Sequence, residues 1–275
     1  MTSLYAAIVE AQRNGQPVAM ATVIRARGSV PRGATARMLI YPDGRTQGTV
    51  GGGELEHRVI QTALEVLRSG QARLEHYSLA GPRSESVGVC GGEMEVFIEP
   101  ILPPPQVLIL GAGHVGKAVA HLARWLGFRV IVADDRPELC TPEQVPDADE
   151  LLVGSLGEVV RQVPINAQTY VISVTRSYTL DVETLPYLLE TEAAYIGVIG
   201  SRRRWVTATK ALQERGVPEE AIRRIHSPIG LAIHAETPEE IAVSIMAEII
   251  QVRNRRERLR SAPAPSAPSS DSGGR

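Results

Sequence analysis

The chain has 275 residues, of which 43% are hydrophobic and 22% charged, and its formal net charge is -2. This composition is ordinary for a soluble globular protein, and a charge so close to zero gives no electrostatic footprint for nucleic acid or an anionic membrane. No apolar run reaches the roughly 18 to 20 residues that span a bilayer, and the first residues lack the order of a signal peptide. We therefore expect a cytoplasmic protein with neither nucleic acid nor membrane among its partners.

The pattern of the first hundred residues predicts an α+β unit with antiparallel strands. A helix is expected over about 4–14, with Ser3 as its cap, and β-rich segments follow. The dipeptide at Asp43 and Gly44 is a strong hairpin signal. Two more strands are expected after a helix that begins near residue 53.

A proline-rich stretch, "PILPPPQ" at residues 100–106, predicts a boundary, since it cannot continue a helix or a central strand. We therefore expect a first domain over 1–100 and a linker over 101–105. A second domain is expected over 106–260. Residues 261–275 have the composition of a disordered tail.

After the proline-rich stretch, short apolar runs alternate with helical stretches, which is typical of a doubly wound parallel sheet. The apolar runs are "QVLIL", "FRVIVAD", "ELLVG", "TYVISVT" and "AYIGVIG". A long final helix is expected from Pro238, with Thr237 as its cap and Glu240 completing a capping box. The predicted fold class is α/β, with a Rossmann-like second half.

The strongest motif is "VLILGAGHVGKAVAHLARWLGFRVIVADD", in which a strand, a glycine turn, a helix, a second strand and an acid follow one another. Gly111 would permit the tight turn, Gly113 would let a pyrophosphate approach the helix, and Gly116 would let the helix pack on the strand. His114 lies beside any phosphate bound there. Asp134 can bond a ribose diol, and with the acid after it would repel a 2′-phosphate, so NAD is favoured over NADP if either binds.

Three further segments carry candidate residues. At the end of the fifth run, Ser201 is expected to cap a helix, and Arg202 or Arg203 could bond an anion; a solvated basic face is the equal alternative. Arg176 and Asp181 follow the fourth run at the same edge of the sheet.

In "GTVGGGELE", Gly51, Gly52 and Gly53 lead into a helix N-terminus, where amide groups favour anions. Spacing alone favours a tight strand-to-helix turn, and an anion site is the alternative.

The two cysteines differ in their surroundings. Cys90 is followed by Gly91 and Gly92, which leave its thiol sterically open, whereas Cys140 has no adjacent glycine or basic side chain. Cys90 is the better candidate for binding a soft metal or handling sulfur. The alternative is a small core residue. The histidines show no metal-ligand spacing.

Taken together, these motifs resemble those of the XdhC/CoxI family, the accessory proteins of xanthine dehydrogenase and related molybdenum hydroxylases. The resemblance covers nearly residues 1 to 250 and rests on "GSVPRGATARMLI", "GTVGGGELE", "GVCGGEMEVFIEP", "LILGAGHVG", "VADDRPE", "VIGSRRR" and "PIGLAIHAETPEEIAVSIMAEI". It implies an N-terminal XdhC/CoxI domain, a C-terminal Rossmann-like domain and a homodimer. The chain departs from the family pattern at Ala232 and His234, where an acid and a glycine are expected.

The resemblance also implies a function. The protein would bind molybdenum cofactor of the molybdopterin type, protect it during sulfuration and deliver it to xanthine dehydrogenase or a related molybdenum hydroxylase, with a cysteine desulfurase as a second partner. It would act as a chaperone without substrate turnover. The implied cofactor-binding residues are those of the motifs above: Gly51, Gly52, Gly53, Glu54, Cys90, Gly91, Gly92, Gly111, Gly113, His114, Gly116, Asp134, Arg176, Ser201 and Arg202, with Cys90 at the metal. The competing hypotheses are an NAD-dependent oxidoreductase and a nucleotide-sensing module.

Overall fold

The computed structural model describes residues 3–28, 33–78 and 92–261. Two β-sheets follow one another along the chain, a five-stranded sheet and then a six-stranded sheet. The first is antiparallel and the second parallel. The prediction of an α/β protein with an N-terminal α+β unit and a Rossmann-like second half is confirmed.

The first sheet has the strand order β3-β2-β1-β5-β4. Its elements are α1 (Leu4–Arg13), β1 (Val18–Arg27), β2 (Arg37–Ile40), β3 (Thr46–Gly48), α2 (Gly53–Ser69), β4 (Arg73–Ser78) and β5 (Glu93–Ile101). The predicted hairpin at Asp43 and Gly44 joins β2 to β3, and Gly44 takes the positive φ of 82° that such a turn requires. The Ser3 hydroxyl, which we expected to cap α1, makes no capping hydrogen bond.

The alternation of side chains along β1 separates two small cores. Ala19, Ala21 and Val23 face α2 and are fully buried with its apolar stripe. Val18 and Met20 point the other way and pack with α1. The sheet therefore lies between the two helices.

The second sheet has the order β11-β10-β9-β6-β7-β8, with every pair parallel. Its strands are β6 (Gln106–Leu110), β7 (Arg129–Asp134), β8 (Glu150–Val153), β9 (Thr169–Ser173), β10 (Tyr195–Val198) and β11 (Ile225–His226). The chain reverses its winding direction between β6 and β9, which creates a crevice at their carboxyl ends. All five predicted strands of this half are present; β11, at two residues, was not predicted.

Helices cover both faces of the second sheet. They are α3 (His114–Trp125), α4 (Leu156–Gln162), α5 (Tyr178–Leu189), α6 (Arg202–Glu214), α7 (Glu219–Ile222) and α8 (Pro238–Ser261). α3 and α8 share one core, and α4, α5 and α6 share the other. The predicted capping box is confirmed, because the Glu240 carboxylate accepts from the Thr237 amide and the Thr237 hydroxyl from the Glu240 amide.

Residues 102–105 connect the two sheets, and the linker end of the first sheet meets the amino end of the second. Asn166 Nδ2 donates to Gly15 O across this junction at 2.5 Å. A cleft of about 570 Å³ lies beside it, lined among others by Pro42, Leu67 and Gln168. The division into domains at 101–105 stays a prediction, and the predicted tail lies outside the described residues from 262 onward.

Candidate functional site

The glycine turn after β6 has three distinct steric situations. A Cβ on Gly111, whose φ is 115°, would lie 2.8 Å from Val174 O, and one on Gly116 would lie 1.9 Å from Gly111 O. Gly113 is different, since no atom lies within 4 Å of the position its Cβ would take. Gly111 and Gly116 therefore permit close packing within the fold, and Gly113 leaves the crevice open to a ligand.

The α3 helix begins at this opening. Gly113 is its N-cap residue and no side chain caps it. The first amide groups of a helix lack intrahelical partners, so they face the crevice with the positive end of the helix dipole. His114 is exposed at the same mouth. The arrangement can bind an anion such as phosphate.

Asp134, at the end of β7, is only 2% exposed and its carboxylate is already engaged. It accepts from the Ala112 amide at 2.7 Å. It also accepts from the amide, Nε and Nη2 of Arg136, each at 2.9 Å. Sequence reasoning missed Arg136, although its position two residues after the acid was a usable signal.

Asp135 and Arg176 join the carboxyl ends of β7 and β9. The two side chains form a bidentate pair at 2.6 and 2.7 Å. The Arg176 guanidinium lowers the pKa of the Asp135 carboxyl from 3.8 to about 2. Arg176 thus lies beside the crevice, as expected from its place after the fourth run.

Asp181 does not contact Arg176. Asp181 belongs to a buried hydrogen-bond network below the carboxyl edge of the second sheet. Its Oδ1 accepts from the hydroxyls of Ser173 and Thr175 at 2.8 and 2.7 Å, and its Oδ2 accepts from Arg204 at 2.6 Å. Arg204 also donates to Thr175 O. This network fixes the loop that carries Arg176.

The three arginines at the start of α6 differ in their exposure to solvent. Ser201 caps the helix as predicted, accepting from the Arg204 amide at 3.3 Å. Arg202 and Arg203 are exposed, whereas Arg204 turns inward. A Cβ on Gly200 would lie 2.8 Å from Arg204 Cδ, which explains that glycine.

The glycine-rich loop of the first sheet binds a carboxylate of its own chain. Glu56 Oε1 accepts from the amides of Val50, Gly51 and Gly52 at 3.2, 3.3 and 2.9 Å, and also from the Thr49 hydroxyl. Burial raises the pKa of the Glu56 carboxyl, but these hydrogen bonds outweigh burial and hold the pKa below its usual range.

The three glycines of this loop have positive φ angles of 148°, 85° and 64°. Backbone conformation therefore requires glycine at Gly51, Gly52 and Gly53. No atom lies within 4 Å of a Cβ on Gly52 or Gly53. Glu54, the acid that we expected to bind cofactor, is exposed, whereas Glu56 was missed.

Cys90 and Gly91 lie outside the described residues, whereas Gly92 is described and lies just before β5. Cys140 is buried, with Sγ 3.6 Å from Val132 O and from Leu152 O, and burial raises the pKa of its thiol. Cys140 is therefore a core residue. Over the described ranges, no three His, Cys, Asp or Glu side chains group as metal ligands.

Each glycine region lies at the far end of an element whose other end is near the cleft between the sheets. α2 starts at the glycine-rich loop, and its last turn lines the cleft with Leu67 and Arg68. β6 starts at the linker and ends at the Gly111 turn. α2 is about 25 Å long and β6 about 17 Å, so each region lies well away from the cleft.

Among the described helices, none combines the length and apolar character needed to cross a bilayer.

Two family models match the chain. Residues 107–249 match the XdhC Rossmann domain, and residues 11–78 match the XdhC and CoxI family. The matched segments contain both glycine regions.

Individual proteins are similar over most of the chain. The uncharacterized protein YqeB of Escherichia coli K12 is 42% identical over 86% of this chain and 44% of its own length, so the chain spans less than half of that relative. The molybdenum cofactor insertion chaperone PaoD of the same organism is 23% identical over 90% of this chain and 87% of its own. The crystal structure of a xanthine dehydrogenase from Bacillus halodurans matches with a TM-score of 0.50 and 26% identity, covering 97% of this chain and 98% of that one.

Proposed function

Because the chain belongs to the XdhC and CoxI family, we propose that it is an accessory protein that binds molybdenum cofactor and delivers it to xanthine dehydrogenase or a related molybdenum hydroxylase. The similarity to a chaperone that inserts molybdenum cofactor supports this proposal. The cofactor is cargo that is protected during sulfuration, with a cysteine desulfurase as the second partner. The protein acts in the cytoplasm as a homodimer.

The observation that carries the proposal is the open approach to α3. Molybdopterin ends in a phosphate, and Gly113 offers an unobstructed path to the uncapped N-terminus of a twelve-residue helix. Arg176 adds a guanidinium at the same edge. The phosphate end of the cofactor binds there.

Cys90 is the proposed ligand of the molybdenum. The described chain nearest to Cys90 is the start of β5, which lies at the end of the first sheet remote from the linker. The start of β5 is therefore remote from the linker, and so is the Gly113 opening at the carboxyl end of β6. A second copy supplies the thiol, and the homodimer holds the cargo between the two copies.

The test is titration of the purified protein with molybdenum cofactor released anaerobically from a molybdenum enzyme. Gly113→Ala adds a methyl group in open space, at a φ of -73° that any residue adopts. Gly113→Glu adds a negative charge at the same point. We expect cofactor affinity to fall about tenfold in the alanine variant and to be lost in the glutamate variant, because the phosphate approaches this backbone.

Cys90→Ala should weaken binding, with Cys140→Ala as the matched control and circular dichroism as the check on folding. Transfer of the cofactor to apo-xanthine dehydrogenase should be reduced in the same variants that bind the cofactor more weakly. Unchanged affinity in Gly113→Glu would refute the proposed phosphate position. Absence of pterin binding together with tight NAD binding would refute cofactor delivery and favour an oxidoreductase or a nucleotide sensor.

A further inference from the structure

The carboxyl end of β7 is where a Rossmann fold distinguishes dinucleotides. An acid there normally accepts hydrogen bonds from the ribose diol of NAD. In this chain that acid is Asp134, and its carboxylate accepts four N–H groups, one from Ala112 and three from Arg136. A carboxylate has about four acceptor sites. Asp134 is thus saturated, and a ribose diol would have to displace Arg136.

Two guanidinium groups face outward at this point, on either side of the partly exposed Asp135 carboxylate. The side chain of Arg136 is 34% exposed and that of Arg176 is 48% exposed. Arg136 Nε lies 3.9 Å and Arg176 Nη1 lies 2.6 Å from the same atom, Asp135 Oδ1. The two cations therefore flank a single oxygen and are close enough for one phosphate to reach both.

The local charges balance. Asp134 is paired with Arg136, and Asp135 is paired with Arg176. The repulsion of a 2′-phosphate that we expected from the two acids is cancelled by these two arginines. The Arg136 bonds to Asp134 use two of the five N–H donors of the guanidinium, which leaves donors for a ligand.

We propose that the crevice between β6 and β9 binds a nucleotide of the NADPH class, with Arg136 and Arg176 binding the phosphate on the ribose. Planar guanidinium groups suit phosphate because they can donate two parallel hydrogen bonds. The pyrophosphate of the same ligand lies over Gly113, where the backbone is open. This inference concerns the second domain and does not rest on molybdenum cofactor as cargo; the two ligands would compete for the Gly113 backbone and Arg176.

The test is calorimetric titration of the full chain with NADPH and NADH, and with 2′,5′-ADP and 5′-AMP as fragments. We expect NADPH to bind at least about tenfold more tightly than NADH, because charged hydrogen bonds to the extra phosphate are lost in NADH. We expect 2′,5′-ADP to compete with NADPH and 5′-AMP to compete poorly. The preference for NADPH should shrink as salt rises.

Three variants test whether Arg136 and Arg176 cause the preference for NADPH. Arg176→Gln removes an exposed cation, and Arg136→Lys keeps a charge beside buried Asp134 but loses the paired donors. Both should lower NADPH affinity about tenfold. NADH affinity should stay unchanged in Arg176→Gln and should stay the same or rise in Arg136→Lys, because Asp134 becomes more available to a ribose diol. Arg223→Gln is the control, since Arg223 is an exposed arginine paired with Glu219 on α7.

Equal or tighter binding of NADH would overturn the inference, as would an equal loss of both ligands in the Arg176→Gln variant. Binding of pterin without any binding of nucleotide would overturn it too, while leaving the proposed delivery function standing. Nucleotide binding without pterin binding would support this inference and refute the proposed delivery function.

Discussion

Glu56 holds the glycine-rich loop in its conformation. One carboxylate oxygen gathers three consecutive amides, and those amides can point together only because the three glycines after Val50 adopt positive φ angles. The anion in this nest of amides is therefore a side chain of the chain itself. A ligand that used the same amides would have to compete with Glu56.

Replacing Glu56 by Gln should destabilise the protein by about 1.5 kcal/mol at pH 7, the low end for hydrogen bonds to a charged group because the side chain is partly exposed. The folded-state pKa of Glu56 lies below its ordinary value of 4.5, so the contribution is present above that value and is lost as pH falls through the folded pKa. Urea unfolding at pH 7 and at acidic pH measures the difference.

The matched control is Glu54→Gln, two residues earlier at an exposed position. Glu54→Gln should change the free energy of unfolding by less than half as much as Glu56→Gln does. An equal effect of the two substitutions, or a Glu56→Gln effect that persists in acid, would contradict the role given to this carboxylate.

The Asp181–Arg204 pair connects three elements. Asp181 lies on α5 and Arg204 on α6, and both bond Thr175 just after β9. Asp181 is 1% exposed, and the Arg204 side chain is 24% exposed. Removing one partner therefore leaves the other largely buried without its counter-charge.

Asp181→Asn should cost about 3 kcal/mol of unfolding free energy, the low end for breaking a buried ion pair because Arg204 retains some solvent contact. The control is Glu219→Gln, whose pair with Arg223 is exposed and should be worth no more than about 0.5 kcal/mol. Shifts in the urea midpoint measure both. A loss for Asp181→Asn as small as that of the control would show that the network does not hold these elements together.

Much of the element level follows from sequence. The parallel strands were predicted because they are continuous apolar runs, and the α8 start because its capping residues are local. Arg204 was not singled out, since only the packing of α6 on the sheet decides which of three adjacent arginines turns inward. Likewise, the sequence places Glu56 near the glycines without showing which acceptor their amides will find.

His234 has a backbone conformation that the sequence pattern did not predict. It takes a φ of 59°, a left-handed value that favours glycine, at the position where the family pattern has a glycine. Neither hydrophobic periodicity nor the resemblance predicted this backbone conformation.

At the scale of the whole molecule, the two glycine regions lie at the far ends of elements that meet near one junction. The linker end of the first sheet meets the amino end of the second through Gly15 and Asn166. The first region begins α2, whose last turn lies near this junction, and the second follows β6, which starts near it. The chain thus has two remote polar ends and a shared cleft between them.

Spectroscopic labels at His57 and Thr179, both exposed near these ends, should report a separation above about 30 Å from the lengths of the intervening elements. Noncanonical amino acids would carry the labels, so that both cysteines remain native. The distance should stay unchanged when molybdenum cofactor is added. A marked shortening in a monomeric sample would show that one chain closes around its cargo, against the arrangement between two copies.

This separation also determines how binding energies combine. Two contact regions strengthen each other only when one is held at high effective concentration near the other. Within a single chain that effective concentration is close to zero for a ligand shorter than the gap. A small molecule bound at one end therefore gains no chelate effect from the other end. A substitution that changes the affinity of one end should leave the affinity of the other unchanged.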